Sequence, residues 1–304
     1  MKNNDRVNYE KTDDFRCGYA AIVGRPNVGK STLMNKLLQL KLSIVTYKPQ
    51  TTRHRILGIL NGSGFQAIFM DTPGLMEAKT RLQESMAKTA QRAAQEADLI
   101  LMMVEAGEYN AEDERICNII KTLSIPRFLL INKIDRVGKP SLLPLIDDWQ
   151  KKSIFTEIIP LSALKGEGTD KLLSLIAGNL PVGPPFYDPE MISDEPERFF
   201  AAELIREQIF LQYSKELPYS AAVHIESFQE RPGRKDYIAA VISVERDSQK
   251  GIIIGKGGTS LKRLSTLARE NIERFLGRPI YLEVHVQVRK QWRKDARQIK
   301  KFGY

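Results

Sequence analysis

An α/β domain with a mostly parallel sheet and helices on both faces, followed by a smaller α+β domain, is the architecture this 304-residue sequence predicts. Three observations predict it. Between residues 17 and 180 short apolar runs alternate with helical patterns. Residues 181–196, PVGPPFYDPEMISDEP, then interrupt the pattern with prolines and acids and read as a linker. From residue 197 to 304 the order changes to α-β-β-α-β. The length suffices for two cores.

In chain order, residues 1–16 are polar, lack the apolar stretch of a signal peptide, and read as a disordered leader. Residues 18–23 read as a strand and 30–40 as a helix. Strands 56–60 and 66–70 are joined through Asn61-Gly62-Ser63-Gly64. Helix 84–96 leads to a buried strand at 99–104. Helix 112–123, strand 127–131, helix 142–151, strand 158–161 and helix 169–179 complete the first domain. In the second, 198–216 is an amphipathic helix, 219–230 and 236–246 alternate as strands, 259–276 is a helix and 280–288 a strand. A basic tail, WRKDARQIKKFGY, follows.

Hydrophobic residues make up 42% and charged residues 27%, as in soluble globular chains. No apolar run approaches the roughly 20 residues of a membrane span. Cys17 and Cys117 have no metal-ligand spacing and suit a reducing cytoplasm. His54, His224 and His285 are dispersed without metal-ligand spacing; His54 lies in the basic TTRHR run, and His224 and His285 lie on strand patterns and read as structural. Net charge is +9, and residues 246–304 carry 15 Lys and Arg against 5 Asp and Glu; the remainder holds 31 against 32. The basic excess therefore lies entirely at the C-terminal end, which points to an anionic partner.

The segment GRPNVGKS comprises Gly24, Arg25, Pro26, Asn27, Val28, Gly29, Lys30 and Ser31. It fits G-x-x-x-x-G-K-[ST] between a strand and a helix, the setting of a phosphate loop. Its N–H groups and helix N-terminus supply positive potential, Lys30 reaches the β- and γ-phosphates, and the Ser31 hydroxyl binds Mg²⁺. Asp71, Thr72, Pro73 and Gly74 form DTPG at a strand end, where the carboxylate can organise Mg²⁺ and the Gly74 N–H can approach a γ-phosphate. Asn132, Lys133, Ile134 and Asp135 form NKID at the carboxyl edge of the sheet, where ligands bind. Asp135 can accept two N–H bonds from a guanine edge, a pair adenine does not offer. Asn132 would tie this loop to the phosphate loop, and the Lys133 stem would cover the base. Ser162, Ala163 and Leu164 form SAL and can offer a backbone N–H to the guanine oxygen.

A second glycine loop, Gly255-Lys256-Gly257-Gly258, looks like a nucleotide site but is not one. With Gly251 it is one residue too short, and Gly257 stands where Ser or Thr would hold Mg²⁺. A helix cap or tight turn is the bland reading. The alternative is the GXXG loop of a KH domain, which clamps a single-stranded RNA backbone. An apolar strand and helix beside the loop would supply a groove for bases. Lys256, Lys262, Arg263 and the tail would add the salt-dependent contribution. Trp292 can pack or stack on a base.

These motifs carry a resemblance. GRPNVGKS, TTR, DTPGL, NKID and SAL in this order resemble translation-factor-class GTPases, and PQTTRHR resembles their switch I. That implies Thr52, rather than Thr51, closes on Mg²⁺ and γ-phosphate. Leu75 stands where Ras-like enzymes place a water-orienting Gln, so intrinsic hydrolysis is expected to be slow. Asn27 in similar GTPases helps bind K⁺ beside the phosphates; it can equally cap a turn. The catalytic expectation thus falls on Lys30, Thr52, Asp71, Gly74 and Asn27, with Ser31 and Thr52 as metal ligands. One GTPase domain followed by a type II KH pattern, together with RHRILGI and VERDSQKGIIIGKGGTSLK, is similar to the Era family over nearly the whole chain. The resemblance implies a Mg²⁺-dependent GTPase with a P-loop GTPase domain over 17–180 and a KH domain over 197–304. It further implies a monomer that binds the 3′ end of 16S rRNA, assists assembly of the 30S subunit, and associates peripherally with the cell membrane.

Overall fold

A six-stranded sheet and a three-stranded sheet, each with its own core, are packed through one shared helix. This is a computed structural model, and it describes residues 14–75, 78, 80–107 and 110–304. The first domain runs β1 (Arg16–Val23), α1 (Lys30–Leu38), β2 (Ile56–Gly62), β3 (Phe65–Asp71), α2 (Arg81–Glu96), β4 (Leu99–Glu105), α3 (Ala111–Ile120), β5 (Arg127–Asn132), α4 (Lys139–Gln150), β6 (Glu157–Pro160) and α5 (Thr169–Asn179). Sheet order is β2-β3-β1-β4-β5-β6; only β2 is antiparallel to its neighbour. The apolar run of β4 is buried along both faces, as a central parallel strand requires. Both domains have the fold class the sequence predicts.

The second domain runs α6 (Glu197–Gln212), α7 (Leu217–Ser220), β7 (Ala222–Gln229), β8 (Asp236–Val244), α8 (Asp247–Ile254), α9 (Thr259–Leu276), β9 (Ile280–Val288) and α10 (Ala296–Lys301). Its sheet order is β7-β8-β9, with β8 and β9 parallel. The second domain departs from expectation in two places. The run ending in Ile252-Ile253-Ile254 is a helix, where the sequence predicts no element between strand and glycine loop. The Gln249 side chain caps it by accepting from the N–H groups of Glu245 and Arg246, and Gly255, at φ 73°, ends it. The glycine loop therefore joins two helices, and the order is α-α-β-β-α-α-β. Tyr219 and Ser220, expected at a strand start, belong to α7.

The expected leader, linker and basic tail are ordered where they are described. Residues 1–13 of the expected leader lie outside the described residues, but Arg16 already opens β1 and pairs with Val182. The linker 181–196 is strapped along the sheet. Gln66 accepts from the N–H groups of Phe186 and Tyr187, Ile59 N–H donates to Ile192, and Ser193 donates to the Leu57 carbonyl. The basic tail turns back on the molecule: Trp292 is fully buried and clusters with Ile299, Leu82 and Met86. Its indole donates to the Ser220 carbonyl at 2.8 Å, so it packs rather than stacks on a base.

Helix α6 lies between the domains. Ten of its sixteen residues are buried, including Glu203, Arg206, Glu207 and Gln208, because the face that would meet water meets the segment before β2. Arg53 of that segment donates to the carbonyls of Ala221, Pro218 and Tyr219 at 2.8–3.0 Å. His54 stacks on Tyr304 at 4.5 Å. Burial is the main cause that lowers the His54 pKa to about 4.

That depression has a sign. Between pH 6.5 and 4 the unfolded chain binds a proton at this histidine and the folded chain does not, so acidification favours unfolding. The melting temperature is expected to fall across that window, and His54→Asn to lessen the fall. An equal pH dependence in both proteins would show that His54 does not contribute.

Candidate functional site

The turn from β1 into α1 wraps a cavity of about 400 Å³. Gly24 follows β1, and Gly29, at φ 109°, precedes the first residue of α1, Lys30. A Cβ on Gly29 would stand 2.3 Å from the Asn132 amide nitrogen, so close an approach needs glycine. Val28 is buried beneath the loop, while Pro26 and Asn27 line the cavity. Arg25 turns away, with its Nε 3.2 Å from Asp113 on α3. Lys30 donates to the Gly24 and Arg25 carbonyls at 3.1 and 3.0 Å, and burial lowers its pKa to about 8 against the pull of Asp71.

Three oxygens converge beside it. The Ser31 hydroxyl donates to Asp71 at 2.6 Å and lies 2.9 Å from the Thr52 hydroxyl. Asp71 is fully buried, its other carboxylate oxygen has no hydrogen-bond partner among the described residues, and burial pushes its pKa up against the Ser31 hydrogen bond. Two hydroxyls and a buried carboxylate with a spare oxygen suit a hard cation such as Mg²⁺. Thr51 faces elsewhere, donating to the Lys48 carbonyl at 2.8 Å. Thr72 donates to the Ile22 carbonyl, a strand-end tie rather than a ligand contact. Pro73 continues the strand-end turn, Gly74 abuts Pro26, and Leu75 is buried in the core with its N–H on the Gly24 carbonyl. Residues 76, 77 and 79, which follow DTPGL, lie outside the described residues.

At the far end of the cavity, the Asn132 amide donates to the Val28 carbonyl at 2.7 Å and accepts from the Ala163 N–H at 2.9 Å. Asp135 is exposed and accepts from Ser162 at 2.5 Å, which holds its carboxyl below the usual range. The Ile134 N–H points to the Leu161 carbonyl, and Leu164 is exposed at the rim. Lys133, at φ 65°, pairs with Glu105 at 2.6 Å. Glu105 carries no motif of its own; its place at the end of β4, in register with Asn132, is the signal that could have found it.

The second glycine loop lies between α8 and α9. Gly255, Gly257 and Gly258 all have positive φ. Gly257 and Gly258 face open space, and a Cβ on Gly255 would meet Ser260 at 2.6 Å. Lys256, Lys262 and Arg263 are exposed, and Arg263 lines an open depression of about 550 Å³ with Tyr213, Thr259 and Ser260. Among the described residues no cluster of His, Cys, Asp and Glu has metal-site geometry.

A family model described as 50S ribosome-binding GTPase matches residues 19–133, and a KH domain model matches residues 216–293. GTPase Era of Syntrophus aciditrophicus (strain SB) is 48% identical over 292 residues, covering 95% of each chain. The chain belongs to the Era family of GTPases. GTPase Era of Geobacter metallireducens is 47% identical across 95% of this chain and 98% of its own. Two solved Era structures each match at TM-score 0.92 and 44% identity, covering 95% of this chain and 99% of theirs. One is a tyrosine-to-alanine variant of Aquifex aeolicus Era bound to GDP and AlF4⁻; the other holds MgGDPNP and nucleotides 1506–1542 of 16S ribosomal RNA. As an Era family member this chain is a GTP-hydrolysing enzyme with a KH RNA-binding domain.

A carboxylate at Asp135 would accept two donors of guanine, whereas an amide there would offer a donor to a purine with a carbonyl at the same edge. Asp135→Asn is therefore expected to weaken GTP binding by about 10²–10³-fold, two charge-assisted hydrogen bonds at ~1.5–3 kcal/mol each with part of the loss recovered by solvent. It should strengthen binding of xanthosine triphosphate. Competition between the two nucleotides measures both effects; an unchanged preference would remove Asp135 from base recognition.

Proposed function

We propose that this protein is a GTP-driven switch that binds the single-stranded 3′ end of 16S rRNA and acts in 30S subunit assembly and 16S rRNA maturation. The observation that carries the reading is the presence, on one chain, of a preassembled triphosphate site and a glycine loop opening α9. The Era neighbour with an rRNA fragment lends the identity of the RNA.

The triphosphate lies along the Gly24–Ser31 loop, with Lys30 toward its β- and γ-phosphates and guanine between Lys133 and the Asp135 carboxylate. Ser31 and Thr52 would hold Mg²⁺, with Asp71 behind them at the same site, and the bound ion would supply positive charge beside the phosphates. The chain's own task is positioning. Water attacks the γ-phosphorus in line, the bond to the β-bridging oxygen breaks, and GDP leaves with phosphate. The buried Leu75 side chain cannot orient that water. Backbone groups, another side chain or a partner place it instead, and basal hydrolysis is slow.

Asn27, at φ 65°, donates from its amide to the Tyr47 carbonyl at 3.0 Å. That bond engages the amide nitrogen, and the amide oxygen stays available as a ligand for K⁺ beside the phosphates, where a cation would stand in for an arginine finger. Hydrolysis is expected to run at least about tenfold faster in K⁺ than in Na⁺, with the difference lost in Asn27→Ala. Equal rates in both salts would leave Asn27 a turn residue.

Ordering of the Thr52 segment by GTP changes how the KH domain is held, and so controls RNA binding. The enzyme acts as a cytoplasmic monomer. Peripheral association with the inner face of the cell membrane rests on the family resemblance alone; no described helix is long and apolar enough to cross a membrane. Crosslinking of bound RNA in cells tests the partner. The 16S rRNA 3′ end is expected with the native protein and is expected to be lost with Gly255→Asp, whose side chain would collide with Ser260. Recovery of other RNAs alone would refute the assignment.

A further inference from the structure

The nucleotide segment and the RNA loop are joined through one tyrosine. Lys48, four residues before Thr52, is buried, and its ammonium donates to the carbonyl oxygens of Phe210 and Tyr213. These carbonyls belong to the last turn and C-cap of α6, where backbone acceptors lack intrahelical donors and the helix presents its negative end. A desolvated cation there satisfies both carbonyls and fixes the helix terminus.

Tyr213 then reaches the other way. Its hydroxyl lies 2.8 Å from the Ser260 hydroxyl and 3.2 Å from the Ile253 carbonyl. Ile253 is in the last turn of α8 and Ser260 in the first turn of α9, so one hydroxyl spans both flanks of the Gly255–Gly258 loop. Ser260 also packs against Gly255, with no room between them for a Cβ. The same residue is thus gripped at its carbonyl by the segment carrying Thr52 and holds, at its hydroxyl, the frame of the RNA loop.

We propose that Tyr213 is a positioning residue that transmits the state of the nucleotide segment to the RNA loop. The inference rests on the reading that GTP controls RNA binding, and it names the route. With Thr52 held at the triphosphate, Lys48 stays on α6, and Tyr213 fixes the spacing of the α8 and α9 ends in the form that receives an RNA backbone. When the segment is released, Lys48 withdraws and leaves the last turn of α6 with unpaired carbonyls. The hydroxyl then loses its fixed position, and RNA must supply the ordering that Tyr213 supplied before.

The test uses the full chain and nucleotides 1506–1542 of 16S ribosomal RNA, the fragment held by the Era neighbour, as probe. RNA affinity is measured by fluorescence anisotropy with GDP and with GMPPNP, alongside GTP affinity and basal hydrolysis without RNA. In the native protein the GMPPNP form is expected to bind more tightly, by a factor within the ~5–150-fold span of allosteric coupling. Tyr213→Phe keeps the ring and deletes the hydroxyl; it is expected to bring that ratio close to one, with GTP affinity and basal hydrolysis unchanged. Lys48→Met should reduce the ratio as well, and the double variant should lose no more than either alone. Ser260→Ala carries the same test if Tyr213→Phe does not fold. A ratio retained in the folded variants overturns the proposal, and so does an equal loss of affinity with both nucleotides, which marks Tyr213 as local support only. A native protein with no ratio of its own refutes nucleotide control itself, and the route with it.

Discussion

The nucleotide site depends on the Asn132 side chain. It is almost fully buried, donates to the phosphate loop at Val28, and accepts from the SAL loop at Ala163. An amide carries both a donor and an acceptor, so one residue can close two loops onto the end of β5. A carboxylate could not make the first bond, nor an ammonium the second. Lys30, Ser31 and Asp135 all sit on segments whose relative height is set by this tie. The close passage of Gly29 over the same amide shows how little slack it leaves. Loops that would otherwise drift over the sheet edge become parts of one rigid cradle.

The domain interface uses a different logic. The segment before β2 offers cations, and the second domain offers backbone carbonyls. Arg53 takes three of them around α7, Lys48 takes two at the end of α6, and Lys41 pairs with the buried Glu207. Helix α6 loses its solvent face to this arrangement, which is why charged residues are buried along it. An interface made with helix ends and turns is directional: a small shift of the cations leaves acceptors unpaired, and each unpaired buried group costs about 1–3 kcal/mol. Such contacts are either made together or released together.

Much of this was legible in the sequence, because the relevant signals are local. The phosphate loop, DTPG, NKID and SAL each fall at a strand end, and alternating apolar runs fix which strand. What the sequence hid has a physical cause in each case. Ile252-Ile253-Ile254 has the β-branched composition of a strand, and the Gln249 cap with the Gly255 stop overrides it. The linker reads as loose from its prolines and acids, yet its backbone groups find partners at Gln66 and Ile59, and its Ser193 hydroxyl finds one at Leu57, far back in the chain. The tail reads as a solvated basic stretch because its charges mask the spacing of Trp292, Ile299, Phe302 and Tyr304, which meet only when the tail folds back. Lys48 and Arg53 read as ordinary basic residues, since their partners lie more than 160 positions away.

The strapped linker limits how far the RNA-binding domain can travel. Its last anchored residue is Ser193, and α6 begins at Glu197, so the chain between them spans at most roughly 14 Å when fully extended. If every contact across the interface were released, the second domain would still sit at a local concentration on the order of millimolar relative to its docking surface. Under the proposed switch, hydrolysis of one nucleotide would never have to recapture a distant partner. It would have only to tilt a balance between nearby poses on a short leash, a change of a few kcal/mol.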